Sequence, residues 1–215
     1  MNKKLLITRP EHDDTTYYLS YWSKKAIEIA ETKGITVFDL SREKANRNKT
    51  EGILKKQEPK LVIFNGHGRE DAVGGHKNEP LIVAKQNETL LKEKITYAIS
   101  CKSAKELGPE SVKQGAKAYL GYEEDFIFFY EPKKMTEPLA DKTAELFLEP
   151  SREAMLSLIK GNSVEEAEKR TKNMFKENMI KLLSSEVTKE EASMARYLWW
   201  NMKHLTIHGD KTATF

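Results

Sequence analysis

Cysteine is nearly absent from this chain, since Cys101 is the only one among 215 residues. A lone thiol cannot form an internal disulfide, so a secreted fold stabilised by bridges is excluded and a reducing compartment is expected. The apolar stretch near the start, Leu5 to Ile7, is too short for the core of a signal peptide. No later run approaches the length of a membrane span. We therefore expect a cytoplasmic protein that does not engage a membrane.

An excess of one charge is also missing. The 36 basic and 33 acidic residues give a net charge of +3, and the two signs are mixed along the chain. No basic block is interleaved with stacking aromatics, so nucleic-acid binding is not expected. Internal repeats and long linkers are missing too, which favours a single domain over residues 1–215. The one candidate for a seam lies near residues 131–135.

The order of apolar and amphipathic segments predicts an α/β fold. A strand at Lys4–Thr8 precedes a helix from about Thr16 to Lys33, with Gly34 as its stop. Further elements are expected at residues 35–40, 45–56, 61–64, 95–99, 103–114 and 116–122. This alternation is typical of a three-layer α-β-α sandwich with a mainly parallel sheet. After His67 we expect a polar loop, a short apolar run at 81–84 and a small helix at 89–93.

From Thr136 onward the pattern is mainly helical, and this half is expected to pack on the sheet. Two capping boxes mark helix starts, Ser163 with Glu166 and Thr188 with Glu191. The first helix should run to about residue 183. The second is expected to bury a stripe of five residues: Ala192, Ala195, Leu198, Trp199 and Met202. A final strand is predicted at 205–208.

Two chemically capable side chains follow apolar runs. His67 lies in Asn65-Gly66-His67-Gly68, and Cys101 lies in Ile99-Ser100-Cys101-Lys102-Ser103. Each should sit at the carboxyl end of a strand, where open α/β sheets place their sites. If these strands are parallel neighbours, the imidazole and the thiol face one another across the edge of the sheet. The sequence therefore predicts a cysteine–histidine dyad.

His67 and Cys101 also allow other interpretations. A histidine between glycines is often a turn residue, and a lone cysteine at a strand end is often a small buried apolar group. A zinc site built from Cys101, His67 and His76 lacks the spacing of known zinc motifs, so no metal or cofactor is expected. A flavodoxin-like binding domain would need a glycine-rich phosphate cradle after the first strand, and residues 9–13 offer none.

The order of elements and motifs resembles the caspase-like cysteine peptidases. The resemblance depends on the His-Gly turn at His67, on Ser-Cys-x-Ser-Ala around Cys101, and on Gly-Ala-x-Ala-Tyr-Leu-Gly at 115–121. Within that superfamily (clan CD) the chain is most similar to the prokaryotic branch with CHAT domains and gingipain-like peptidases, whose Leu-x-Gly-Asp ending resembles residues 205–210. The animal caspase signature Gln-Ala-Cys-x-Gly is absent.

The resemblance implies a cysteine endopeptidase acting on a specific protein or peptide target. Cys101 would attack the scissile carbonyl as thiolate, and His67 would protonate the departing amine. The backbone N–H groups of Gly68 and Cys101 would hold the oxyanion. Many relatives are activated by cleavage, calcium or a partner chain, so the resemblance also allows latent activity and a regulatory protein partner.

The loops after the first and fifth strands border the specificity pocket in relatives. We therefore expect these loops to determine the substrate preference. The candidate binding residues are acids of these loops: Asp13, Asp14, Glu123, Glu124 and Asp125. A negative pocket would favour lysine or arginine before the cleaved bond. Against this, Arg9 in the first loop would select an acidic residue, and Ile99 stands where relatives that cut after basic residues carry aspartate. The acids could equally be solvated loop residues.

A catalytically inactive caspase-like interaction module is the alternative function. It would bind a partner through the helical half, with Tyr197, Trp199 and Trp200 as anchors, although aromatics on a helix are more often core. An exposed thiol of low pKa would favour the peptidase over this module.

Overall fold

The structure, a computed structural model, describes residues 3–184 and 188–215. Its strands are β1 (Lys4–Arg9), β2 (Thr36–Ser41), β3 (Leu61–Asn65), β4 (Gly68–Arg69), β5 (Ala72–Gly74), β6 (Pro80–Val83), β7 (Ile95–Ile99), β8 (Ala118–Tyr122) and β9 (Leu205–Gly209). Its α-helices are α1 (Asp14–Thr32), α2 (Arg47–Gln57), α3 (Leu107–Lys113), α4 (Lys142–Ile159), α5 (Val164–Leu182), α6 (Lys189–Ser193) and α7 (Ala195–His204).

The central sheet has the strand order β2-β1-β3-β7-β8-β9. The first five strands in this order pair in parallel, and β9 pairs antiparallel with β8. Every residue of β3, β7 and β8 is buried. Strands covered on both faces read as continuous apolar runs rather than as alternating ones, and the sequence shows such runs here.

Helices cover both faces of this sheet, as the period of two along each strand requires. Leu5 and Ile7 of β1 join a core cluster with residues of α1, α4 and α5. Leu6, between them, joins a second cluster with residues of α2, α3, β5 and β6. The predicted three-layer α-β-α sandwich with a mainly parallel sheet is therefore confirmed.

Two local predictions around the site were wrong. The expected polar loop after His67 instead contains a small antiparallel sheet in the order β4-β5-β6. The helix expected at 103–114 begins only at Leu107, and residues 101–106 form turns. They cannot continue a helix because Lys102 has φ +59° and Ala104 donates its N–H to the carbonyl of Tyr122.

The C-terminal helices pack on one another as well as on the sheet. Helices α4, α5 and α7 share a cluster around Phe147, Phe175 and Leu198. The helix predicted after Thr188 is two helices, α6 with a complete capping box and then α7. Trp199 was wrongly placed in its buried stripe, since it is 45% exposed while its neighbour Leu198 is fully buried. Within the described ranges, no helix is both long enough and apolar enough to cross a bilayer.

Candidate active site

The two predicted site residues leave neighbouring strands at the same edge of the sheet. Strands β3 and β7 pair in parallel, with Asn65 opposite Ile99. The Asn65 side chain donates to the carbonyl of Thr8 at 2.9 Å, which ties this edge to the end of β1. His67 and Cys101 therefore follow adjacent strand ends, as the sequence predicted.

The backbones at these two strand ends are in direct contact. A Cβ added to Gly68 would collide with Ser100 Oγ and lie 2.8 Å from the carbonyl oxygen of Cys101. Ser100 Oγ donates a 2.8 Å hydrogen bond to the carbonyl of His67. Gly66 has φ +151°, and a Cβ there would lie 2.7 Å from the carbonyl of Gly74. Gly68 is thus required for the two strand ends to pack together, and Gly66 is required for the His67 turn to pack against β5.

The imidazole of His67 is held by the loop after β1. Its Nε2 lies 2.7 Å from Asp13 Oδ2, and its side chain is 37% exposed. Asp13 is the N-cap of α1, and its Oδ1 accepts the N–H of Thr16 at 2.8 Å. Burial alone would raise the pKa of Asp13, but hydrogen bonds from Thr16 and His67 outweigh it and hold that pKa below its ordinary value. A fixed carboxylate therefore sets the orientation of the ring.

The thiol of Cys101 sits in a different environment. It is half-buried, and its contact with the Phe126 carbonyl at 3.9 Å is a weak hydrogen bond. Burial raises the pKa of the Cys101 thiol, and the nearby carboxylate of Asp125 adds to the rise. Within residues 3–184 and 188–215, no imidazole hydrogen-bonds the sulfur. The resting thiol is therefore protonated at neutral pH, and the low-pKa thiol that would favour a peptidase is not present in this conformation.

The turn after β7 is held against the loop after β8. Lys102 donates its N–H to the carbonyl of Glu124 at 3.1 Å. The N–H of Cys101 donates to no other residue's carbonyl in the described part of the chain. The oxyanion role of the Cys101 N–H stays a prediction, as does that of the Gly68 N–H.

The acids predicted after β1 are engaged by the protein itself. Asp13 caps α1 and holds His67, and Asp14 Oδ2 accepts the hydroxyl of Tyr130 at 2.9 Å. Arg9 is 6% exposed and forms a two-pronged ion pair with Asp39. A guanidinium buried in this way cannot select an acidic substrate residue, so the alternative based on Arg9 is not supported.

The acids predicted after β8 lie at the surface. The Asp125 carboxylate is 54% exposed and lies 3.5 Å from the Lys102 ammonium, while Glu123 lies 4.0 Å from His208. The Glu124 carboxylate makes no hydrogen bond or ion pair among the residues described. These three side chains flank the Cys101 turn and remain open to a ligand.

Two residues of this edge were missed from the sequence. His12 Nε2 lies 3.2 Å from Asn78 Oδ1 and 3.4 Å from Asp13 Oδ2, beside the ring of His67. The placement of His12 directly after β1 was a usable signal, because β1 and β3 are neighbouring parallel strands. Asn78 gave no such signal, since it lies in a turn of the small sheet with φ +62°.

A groove of about 360 Å³ opens next to His67. Its walls come from the His67 turn and from the small sheet, and they consist mainly of backbone and short side chains: His67, Gly68, Arg69, Ala72, Val73, Gly74, Asn78 and Pro80. The small sheet that replaced the predicted loop therefore forms one wall beside the imidazole.

No family model and no curated protein matches the sequence. Solved structures do resemble the fold. The crystal structure of the Arg-specific cysteine proteinase gingipain R (RgpB) superposes with a TM-score of 0.58 at 11% identity, over 98% of this chain and 46% of that one. The complex of the pro- and mature domains of RgpB from Porphyromonas gingivalis gives 0.56 at 10% identity, over 98% and 47%.

The separase–securin complex of Saccharomyces cerevisiae matches with a TM-score of 0.53 at 16% identity, over 97% of this chain and 12% of that one. This chain thus spans about half the length of the gingipain chains and a small part of the separase chain. Gingipain RgpB and separase are both caspase-like cysteine peptidases of clan CD, and this chain shares their caspase-like fold.

Proposed function

We propose that this protein hydrolyses peptide bonds through Cys101 and His67. The observation that carries the proposal is the contact between the two strand ends, where Gly68 packs on Ser100 and Cys101. On a caspase-like sheet, this contact supports a dyad of one thiol and one imidazole. The thiolate is the nucleophile, and the imidazole exchanges protons near neutral pH.

The reaction would proceed in two stages. The Cys101 thiol first passes its proton to His67, and the resulting thiolate then bonds to the scissile carbonyl carbon. The N–H groups of Gly68 and Cys101 hold the oxyanion. When the tetrahedral intermediate collapses, the C–N bond breaks and the departing amine takes the proton from His67. Water then attacks the thioester, which releases the acid and restores the thiol. Because His67 serves the leaving amine, the groove beside it would accept the segment after the cleaved bond.

The raised thiol pKa supports a latent resting state for this enzyme. Attack requires the thiolate, and a buried thiol beside the Asp125 carboxylate is protonated at neutral pH. Binding of substrate or of a regulatory protein at the 123–126 loop would change both the burial and the charge around the sulfur. Separase was solved with securin bound, and a regulatory partner is part of the present proposal too.

The proposed substrates are proteins or peptides with lysine or arginine before the cleaved bond. Glu123, Glu124 and Asp125 supply the negative charge for this preference, since they are open and lie beside the Cys101 turn. Gingipain R is named as Arg-specific, which favours the same preference here. Ile99, two residues before the cysteine, is buried and contributes no charge.

A peptide-library assay of the wild type, Cys101→Ala and His67→Ala tests the proposal. We expect no cleavage by Cys101→Ala and a rate loss of about 10²- to 10⁴-fold for His67→Ala. His204→Ala is the matched control, because this histidine stacks on Trp200 and lies on α7. Cleavage that survives in Cys101→Ala would contradict the assignment.

The second candidate is an inactive caspase-like module that binds a protein partner. It is favoured by the protonated thiol, to which no imidazole in the described part of the chain is hydrogen-bonded. It is also favoured by Trp199, which is 45% exposed beside Tyr197 and Trp200 on α7. Labelling with a peptidyl chloromethyl ketone of basic sequence separates the two functions. A peptidase reacts at Cys101 in the folded state and loses this reaction in His67→Ala. An inactive module reacts only after unfolding.

A further inference from the structure

Three potential metal ligands converge beside the proposed dyad. One ligand atom from each of His12, Asp13 and His67 lies within 4.8 Å of the other two. Asp13 Oδ2 stands between the imidazoles, 3.4 Å from His12 Nε2 and 2.7 Å from His67 Nε2. In a tetrahedral zinc site with bonds of about 2.0–2.1 Å, neighbouring ligand atoms are separated by about 3.3 Å. Small side-chain rotations are therefore enough to place an ion among these three atoms.

The scaffold under the cluster is already ordered. Thr16 Oγ1 accepts the N–H groups of both His12 and Asp13, at 3.1 and 3.2 Å. The Oδ1 atom of Asp13 is occupied by Thr16, which leaves Oδ2 directed at the two imidazoles. The His12 side chain is only 11% exposed and packs edge-on against the ring of His76, at 5.5 Å between centroids. Two of the three ligands thus lose little conformational freedom when an ion binds.

An oxygen donor for a fourth position lies next to the cluster. Asn78 Oδ1 is 3.2 Å from His12 Nε2. Asn78 has φ +62°, and its N–H donates to the carbonyl of Gly75 at 3.1 Å, so the turn holds its side chain at this place. Two imidazoles, one carboxylate and one further oxygen suit Zn²⁺, whereas Ca²⁺ and Mg²⁺ require oxygen ligands throughout.

We propose that His12, Asp13 and His67 bind a Zn²⁺ ion, and that this ion inhibits the protein reversibly. Binding would take the lone pair of His67 Nε2 and leave the ring's single proton on Nδ1. The ring would then have no free lone pair with which to accept the proton of the thiol. The inhibitory part rests on the proposed peptidase function, whereas the binding part does not. Because His12 Nδ1 is buried with no acceptor among the residues described, the site lacks one orienting contact. We therefore expect affinity roughly 10- to 100-fold below that of a fully supported zinc centre.

Titration of the apo protein with Zn²⁺ by calorimetry tests the binding part, with Co²⁺ and its visible absorption as a second probe. The wild type should bind one equivalent at this site, and His12→Gln should weaken binding at least 10-fold. His204→Gln is the control histidine and should bind as the wild type does. Cys101→Ser should also bind normally, because the thiol is outside the cluster. The proposal is overturned if His12→Gln binds as tightly as the wild type, or if Cys101→Ser abolishes binding.

Peptide cleavage with and without Zn²⁺ tests the inhibitory part. Zn²⁺ should suppress cleavage by the wild type, and a chelator should restore it. His12→Gln should require at least 10-fold more Zn²⁺ for half-inhibition than the wild type, when the rate of each protein is expressed relative to its own rate without Zn²⁺. Binding of Zn²⁺ by a protein that cleaves nothing would uphold the site and refute the peptidase. Cleavage that saturating Zn²⁺ leaves unchanged would refute the inhibition.

Discussion

The two acid-bearing loops at the carboxyl edge of the sheet use their charges in opposite ways. In the loop after β1, Glu11 accepts hydrogen bonds from Ser20 and Arg42, and its side chain is only 8% exposed. In the loop after β8, Glu123 and Asp125 are about half exposed and have only distant or weak partners. Both loops read as polar and charged in the sequence.

The two loops differ in role because the Glu11 carboxylate of the loop after β1 is buried, whereas two carboxylates of the loop after β8 are about half exposed. A charge taken out of water must be compensated by partners inside the protein, so the first loop supports the fold and orients His67. A charge left in water remains available to a ligand, and the second loop adjoins the turn of Cys101. The comparison therefore indicates a structural role for residues 9–14 and supports the proposed recognition role of residues 123–125. Substitutions in each loop test this difference.

The largest expected effect is on the free energy of unfolding, when the loop after β1 loses the guanidinium of Arg9. Arg9→Met would leave Asp39 and Glu11 without their buried guanidinium, which should lower the free energy of unfolding by about 3 kcal/mol. Urea denaturation followed by circular dichroism measures this. Lys102→Met removes the cation next to the second loop and should cost less than about 1 kcal/mol. Similar losses for the two variants would remove the distinction between the loops.

The sequence predicted that His67 and Cys101 follow neighbouring strand ends, but it did not predict which residues contact them. Continuous apolar runs identified β3 and β7, and the rule that parallel strands end at one edge brought His67 and Cys101 together. The partners of these residues depend on tertiary packing. Asp13 holds His67 from 54 positions away, and Phe126 covers the Cys101 sulfur from 25 positions away. No local pattern encodes such pairs.

The small sheet shows a second limit of sequence patterns. Strand β4 has two residues and β5 has three, which is too short for an alternation of apolar and polar residues to be recognised. The charges of Arg9 and Asp13 were misjudged for a related reason. Composition tells that a loop is acidic or basic, whereas only the packed structure tells which charges face water.

The reactivity of Cys101 should report on the second loop. Because burial and Asp125 raise the pKa of the thiol, its alkylation by iodoacetamide at pH 7 should be at least tenfold slower than that of the urea-unfolded chain. The rate should still be climbing above pH of about 8.5, where an ordinary thiol levels off. Asp125→Asn should shift this profile to lower pH, whereas Asp14→Asn in the first loop should leave it in place. A plateau below pH 8 in the wild type would contradict the protonated resting thiol.

Substitution of Asp13 tests the structural role of the loop after β1, with a smaller expected change in the free energy of unfolding. Asp13→Ala removes the N-cap of α1 and should lower the free energy of unfolding by about 1 kcal/mol. Asp13→Asn keeps an oxygen acceptor for the N–H of Thr16 and should recover most of that loss. Thermal melts compare the two variants, with Glu123→Ala as the control from the second loop, expected within about 0.5 kcal/mol of the wild type. Equal loss in Asp13→Ala and Asp13→Asn would mean that charge, not capping, is what matters there.

The smallest expected effect concerns substrate preference. The Glu124 carboxylate has no hydrogen bond or ion pair among the described residues, and its backbone carbonyl accepts the N–H of the residue after Cys101. Glu124→Gln should therefore lower kcat/KM for peptides with lysine or arginine before the cleaved bond by about fivefold, equivalent to about 1 kcal/mol. Peptides with a neutral residue at that place should be cleaved as before. Asp14→Asn is the matched change in the first loop and should alter neither class, because Asp14 is engaged by Tyr130. A loss of preference in Asp14→Asn but not in Glu124→Gln would move substrate recognition to the first loop.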